Sequence, residues 1–401
     1  MTSHNPTIEV TVATDKTTAA VQPRAAGRLF FIDNIRVLLT IQVLLFHLAI
    51  IYAGTGSWFY EEGREDFITG ALGAWFVAVS QAFFMGLFLL ISAYFVPGAY
   101  DRKGPGRFLK DRLVRLGIPL AVYSWIIRPP LVYLYLRSIE GLRLSWWRYF
   151  PGEYFKSNAV LGAGPLWFVE TLLIFTVLYV VWRLLTGRGT ARPAAETPFP
   201  NNLSIALFAL LLGLAGFLVR LWRPIEWSFA PLNLQFPFFA QYVALFILGL
   251  VAYRRNWLAS LSEPTGRLWL GIGIFMILLF WPLALAGDMA TSLEPFLGGW
   301  HWQALAYALW ESFLCLGMCI GLIYAFRRYS QGQGHLARFL SHNAYAAYLV
   351  HGPVITIIAL AARDVVLHPL AKFGLVSLVA VPLCFGLSDL IRKLPYADRV
   401  L

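Results

Sequence analysis

Apolar residues gather along this chain in long, nearly unbroken blocks. Ten of them, at 30–53, 71–96, 115–136, 165–185, 203–222, 236–253, 268–287, 303–326, 343–362 and 370–391, have the length a helix needs to cross a hydrocarbon core of about 30 Å. Inside lipid the backbone has to satisfy its own polar groups, so blocks of this kind predict spanning helices. The expected fold class is an all-α polytopic membrane protein of about ten transmembrane helices. An even number of crossings puts both termini on one side. Residues 1–27, rich in Thr and Ala and without an apolar stretch behind a basic start, read as a disordered tail. Residues 28–395 read as one membrane domain and 396–401 as a short C-terminal tail.

Composition agrees: 59% of the 401 residues are hydrophobic and only 13% charged. The formal charge of +11 would suit a nucleic-acid partner if the cations formed a patch. They are instead segregated between alternate connections. Counting from the N-terminal side, 21 of the 32 Lys and Arg residues fall in the tail and in the even-numbered connections, including Arg102, Lys103, Arg107, Lys110, Arg112 and Arg115. That bias marks the cytoplasmic side, so N and C termini are expected in the cytoplasm and nucleic acid is not expected as a partner. The opposite connections hold fewer cations, among them Arg64, Arg220 and Lys372. The longest, Arg137–Gly164, carries Trp146, Trp147 and Tyr149 and suits a helix lying in the interface. Cys315, Cys319 and Cys384 all sit in apolar blocks, which indicates packing and neither a disulfide framework nor a metal site.

An ionisable side chain within a span costs several kcal/mol, so each is a functional candidate. The candidates are Arg36, His47, Arg128, Glu170, Glu311, His351 and Asp389. Arg36 and His47 are eleven residues apart, which returns to the same helical face after a rise of about 16 Å. Asp33 lies one turn before Arg36 and can pair with it. Arg112 and Arg115 place two guanidinium groups on one face at the cytoplasmic boundary. Such a fork suits phosphate, although positive-inside anchoring accounts equally well for the spacing alone. Arg128 precedes Pro129 and Pro130, which are expected to interrupt the third span beside protein or a wet cavity. Glu170 and Glu311 read either as catalytic groups or as salt-bridge partners of Arg128. In the ninth block Ser341 or Asn343 is expected to cap the helix, and Tyr345, Tyr348 and His351 follow at intervals of three. That helix runs parallel to the first, so His351 should reach the depth of His47. There it suits a structural hydrogen bond or catalysis.

These residues together resemble the acyltransferase-3 family of bacterial membrane O-acyltransferases, in particular its glucan-succinylating branch. The matching stretches are Phe31-Ile-Asp33-Asn-Ile-Arg36 with His47, the Arg112/Arg115 pair, Gly164-Pro-Leu-Trp167-Phe-Val-Glu170, Trp310-Glu311 and the run from Ser341 to His351. Where many members carry Ser-Gly-Phe after the second span, this chain has Ser92-Ala93-Tyr94. The resemblance implies a multi-pass enzyme of the bacterial cytoplasmic (inner) membrane. Its activity would be acyl-CoA-dependent O-acyl transfer, from acetyl-CoA or succinyl-CoA in the cytoplasm to a hydroxyl of an envelope or periplasmic carbohydrate. No tightly bound cofactor is implied, acyl-CoA being a co-substrate. His47 would be the catalytic base, with Arg36, Arg112 and Arg115 near the CoA. The chemistry fits independently, because deprotonating a hydroxyl as it attacks a thioester needs a base that titrates near neutrality. Arg128 and Tyr348 are the candidates for stabilising charge on the carbonyl oxygen, and Tyr348 is also expected with the arginines in binding the CoA. The competing reading is a transporter or flippase with a buried His/Glu/Arg path. No internal repeat is visible, which weighs against an inverted-repeat transporter.

Overall fold

The computed structural model describes residues 28–54, 56–62, 66–156, 162–187, 197–229 and 232–401. The expected N-terminal tail, Arg64, Arg188 and Arg192 lie outside them. Helix dominates the described residues, beside one isolated β-bridge between Phe229 and Leu234. The chain opens with α1 (Phe30–Ala53) and α2 (Phe67–Tyr94), which leads into α3 (Val96–Lys103). Next come α4 (Pro105–Arg112), α5 (Ile118–Val122) and α6 (Arg128–Ser138), joined by the π-helical turns Leu113–Gly117 and Tyr123–Ile127. After the short α7 (Trp146–Arg148) follow α8 (Trp167–Leu185), α9 (Asn202–Trp222), α10 (Phe239–Arg254) and α11 (Trp257–Ser260). The chain ends with α12 (Glu263–Ala286), α13 (Glu294–Leu297), α14 (Trp302–Tyr329), α15 (His335–Ala361), α16 (Pro369–Arg392) and α17 (Ala397–Val400).

Nine helical stretches among the described residues are long and apolar enough to cross a membrane. The expected third span, 115–136, is not one of them. Prolines explain its construction. Pro129 and Pro130 do not interrupt the helix as expected; they form the first turn of α6, where missing N–H groups cost least, directly after a wide π turn. The Ile118 and Arg128 N–H groups bond five residues back, to Leu113 and Tyr123. Continuing that register, the Ser124 carbonyl would need the N–H that Pro129 lacks, and the Tyr154 hydroxyl bonds it instead at 2.8 Å. In ordinary helical register the Arg115 carbonyl would face Pro119, and it accepts from the Tyr345 hydroxyl at 2.6 Å. Neighbouring elements thus supply what the prolines remove.

Contacts between helix ends show that this proline-rich stretch crosses the bundle. Asp101, in α3, binds Arg183 in the last turn of α8 at 3.1 Å and Arg254 in the last turn of α10 at 2.7 Å. α2 and α8 therefore both run toward one face, and the chain between them has to return to the other. Asn34 at the start of α1 reaches Ser330 after α14, and Arg392 at the end of α16 bonds the His342 carbonyl near the start of α15. Both ends of the bundle accordingly share this face, called here the terminal face. Its counterpart carries the end of α1 and the starts of α2 and α16, joined by an ion pair from Glu62 to Lys372 and by a 3.1 Å contact between Asp66 and His368.

Several ends differ from expectation. Ser341 and Asn343 cap nothing, because α15 begins six residues earlier at His335; their side chains bond carbonyls one turn back within the helix. The last residues form α17, packed on Leu113–Gly117. Asp389 pairs with Lys393 at 2.6 Å in the last turn of α16.

α1, α2 and α14 are largely enclosed, while α9, α12 and α16 face mostly outward. α12 and α14 approach closely at Gly273 and Gly317, where a Cβ on Gly317 would lie 2.6 Å from the Gly273 nitrogen. Arg220, expected in an outer connection, is instead 1% exposed at the end of α9. It meets Glu311 of α14 at 2.5 Å, with its guanidinium over the rings of Phe238 and Tyr307. Glu311 is therefore the partner of Arg220 and not of Arg128. Removing one member of a buried pair leaves a charge in hydrocarbon, at a cost of about 3–5 kcal/mol. Glu311→Ala or Arg220→Ala should sharply lower the thermal unfolding temperature. Arg220→Met/Glu311→Met should recover most of the loss and keep whatever activity the wild-type protein has, as read by melting curves and activity on one preparation.

Candidate active site

Two clusters on α1 organise the site, one per end of the stripe defined by Arg36 and His47. At the terminal face Asp33 holds Arg28 at 2.7 Å and Arg36 at 3.5 Å, and the Arg36 guanidinium lies over Phe95 at 5.0 Å. Arg112 and Arg115 are brought within electrostatic reach of Arg36. Burial, then the like charges of Arg115 and Arg36, hold the Arg112 guanidinium below its ordinary pKa. Asp33 pairs with Arg28 and Arg36, and Asp111, paired with Lys103, acts on Arg112; the cations still outnumber these carboxylates, and the excess positive charge favours an anion. The tyrosine at this cluster is Tyr345, through its bond to the Arg115 carbonyl and its electrostatic contact with Arg112 and Arg115. Tyr348, the residue expected from the sequence, is committed elsewhere: its hydroxyl donates to the Pro165 carbonyl at 2.7 Å.

About three helical turns along α1, His47 meets His351 of α15, with ring centroids 4.9 Å apart. His47 Nδ1 lies 2.9 Å from the Val43 carbonyl and His351 Nδ1 lies 2.5 Å from the Tyr348 carbonyl. A carbonyl only accepts, so in both rings Nδ1 carries the proton and Nε2 keeps the lone pair in the neutral form. His351 is fully buried, and its Nε2 has no protein partner. The structure thus builds two imidazoles in one tautomer with both basic nitrogens available to a third molecule.

Trp58 completes this cluster, and sequence reasoning passed it over. Its ring centroid lies 4.3 Å from that of His47 and 6.2 Å from that of His351. The indole N–H donates to Thr356 Oγ1 at 3.0 Å. Its only signal in the sequence is a Trp in a short connection, which ordinarily indicates an interfacial anchor.

Arg128 lies beside Gly162 and Gly164, where its guanidinium would be 3.2 Å from a Cβ on Gly162, and within electrostatic reach of Tyr123, Tyr149 and Tyr154. Tyr123 links this group to the histidines: its hydroxyl would be 3.1 Å from a Cβ on Gly352, the residue after His351, and it has no protein hydrogen bond. Glu170 is buried on α8 and forms no ion pair among the described residues. Glu311 belongs to the separate α9–α14 contact with Arg220. Of the sequence candidates, then, His47, His351 and Tyr348 meet; Arg36, Arg112 and Arg115 meet; Arg128 joins the first group through Tyr123; Glu170 and Glu311 stand apart.

The arrangement offers an anion site at one face and paired bases within the bundle. Comparison with known proteins gives it a family. Glucans biosynthesis protein C from Salmonella schwarzengrund (strain CVM19633) and that from Salmonella agona (strain SL483) are each 27% identical to this chain over 267 residues. The protein of the same name from Salmonella enteritidis PT4 (strain P125109) is 26% identical over the same length. The aligned region is 63% of this chain, and the chain spans 65% of the length of these curated relatives. No solved structure matches the chain. The family model described as an acyltransferase domain matches residues 29–389, from the start of α1 to the last turn of α16, and the chain belongs to that acyltransferase-3 family.

Proposed function

We propose that the protein is an O-acyltransferase that moves an acetyl or succinyl group from acyl-CoA to a carbohydrate hydroxyl, with His47 as the general base. The observation that carries this reading is the histidine pair, whose Nδ1–H groups are tied to backbone carbonyls so that both Nε2 lone pairs are free, on the same helix as a surplus of guanidinium groups. The acceptor hydroxyl loses its proton to His47 Nε2 as its oxygen attacks the thioester carbonyl, and collapse expels the CoA thiolate, which takes the proton. His351 Nε2 accepts a second hydrogen bond and orients the hydroxyl. Charge developing on the carbonyl oxygen calls for a donor. Tyr123 supplies one more readily than Tyr348, whose hydroxyl proton is engaged by Pro165. Arg128 lies behind Tyr123 and adds positive potential. Arg36, Arg112 and Arg115 hold the CoA phosphates, and the rise of about 16 Å from Arg36 to His47 is spanned by the pantetheine arm. A glycan acceptor is favoured by the printed name of the relatives, glucans biosynthesis protein C. We place the terminal face in the cytoplasm of a bacterial inner membrane, as the distribution of Lys and Arg favours.

His47→Ala should lower transfer by about 100-fold to 10,000-fold, the range for loss of a general base, while protein level and melting temperature stay normal. Retained transfer would remove His47 from the role. Arg115→Gln and Arg112→Gln should each raise KM for acyl-CoA by about 10-fold to 100-fold, as expected when a charge-assisted bond of roughly 1.5–3 kcal/mol is lost, with a smaller effect on KM for the glycan. A C-terminal green fluorescent protein fusion should fluoresce and a C-terminal alkaline phosphatase fusion should be silent; the reverse would place the termini outside.

A further inference from the structure

The connection between α1 and α2 turns back into the bundle and is fastened there at several points. Gly54 ends α1 in the left-handed conformation, φ 60°, which a residue without Cβ adopts at no cost. Four residues on, the backbone N–H of Trp58 donates to Glu61 Oε1 at 2.7 Å, and its indole N–H donates to Thr356 on α15. The Thr356 hydroxyl in turn donates to the Gly352 carbonyl at 2.7 Å, one residue past His351. Glu62 closes the segment: its backbone N–H bonds the Ile51 carbonyl on α1, and its carboxylate receives the Tyr60 hydroxyl at 3.0 Å and the buried Lys372 ammonium of α16 at 2.5 Å. A segment that merely joined two helices would need no buried lysine to hold it. What these bonds accomplish is to seat the indole, 9% exposed, against both imidazoles on the side facing away from the arginines.

We propose that Trp58 is a positioning residue that reserves the acyl thioester for the carbohydrate hydroxyl by walling the histidine pair off from water; this rests on the acyl-transfer reading above. In transfer, the acceptor oxygen bonds to the acyl carbon, the carbon–sulfur bond breaks, and the acceptor proton passes through His47 Nε2 to the CoA thiolate. Water in place of the acceptor follows the same path and yields the free acid and the same thiol. The basic nitrogen does not distinguish the two, so the choice belongs to whatever excludes water from it. The indole is the large apolar surface that touches both rings, and its tether to Thr356 fixes it on the helix that carries His351.

The test uses the full chain in lipid nanodiscs with succinyl-CoA or acetyl-CoA and a neutral glucan oligosaccharide, measuring CoA thiol by colorimetry and acylated glycan by mass spectrometry. The wild-type protein should release one thiol per ester formed. Trp58→Ala should release several-fold more thiol than ester, Trp58→Phe should restore most of the coupling, and Thr356→Val, which keeps the ring but removes its tether, should fall between. Should Trp58→Ala fail to accumulate, Thr356→Val carries the test by the same ratio. The proposal is overturned if these variants lose thiol release and ester in equal proportion, or if neither changes. A wild-type chain that forms no ester and releases no thiol overturns the acyl-transfer reading itself, and the proposal with it.

Discussion

A charge withdrawn from water has to find a partner or remain at the edge, and the placement of most charged groups among the described residues follows from that constraint. Three sets are paired internally. Glu311 meets Arg220, Glu62 meets Lys372, and Asp101 is shared by Arg183 and Arg254. Each joins elements distant in sequence, and each fixes how the helices pack. The cluster of Arg36, Arg112 and Arg115 is different, since its two nearby carboxylates are shared with other cations, Asp33 with Arg28 and Asp111 with Lys103. The positive surplus lies at the boundary, where an anion arriving from water can complete it. The proposed placement of the acyl-CoA phosphates there rests on this surplus.

The same constraint, applied to the backbone, explains how the third crossing survives its prolines. Two π turns redirect the hydrogen bonds, and two tyrosines from elsewhere supply the donors that the prolines lack. One of these, Tyr345, ties the stretch to α15 at the arginines; Tyr123, on the second π turn, comes up against Gly352 beside His351. A wide turn bulges from its helix, and here it carries an unpartnered hydroxyl to Gly352, the residue after His351. The irregular backbone thus belongs to the site, which joins the proposed donor cluster to the proposed reaction centre along one side of α15.

Much of this was legible in the chain before folding. Block lengths alone determined a helical multi-pass protein, because hydrocarbon admits few other ways of satisfying a backbone. An eleven-residue interval placed Arg36 and His47 on one stripe, since helical geometry is local. His351 at the depth of His47 followed from two helices running in the same direction, and family motifs marked the same residues. What pairs with what was decided only by tertiary structure. Glu311 reads as a catalytic candidate until α9 sets Arg220 against it, and Arg220 reads as a loop cation until α14 buries it. Tyr345 and Tyr348 are indistinguishable in sequence, three residues apart on one helix; their neighbours send one to the arginines and the other to Pro165. Trp58 is the clearest case, because its place beside the histidines depends on a connection folding back onto helices about 300 residues away, held by Thr356 and Lys372. Periodicity reports which face of a helix is apolar, whereas partner choice is a long-range balance of desolvation and hydrogen bonding that no local pattern encodes.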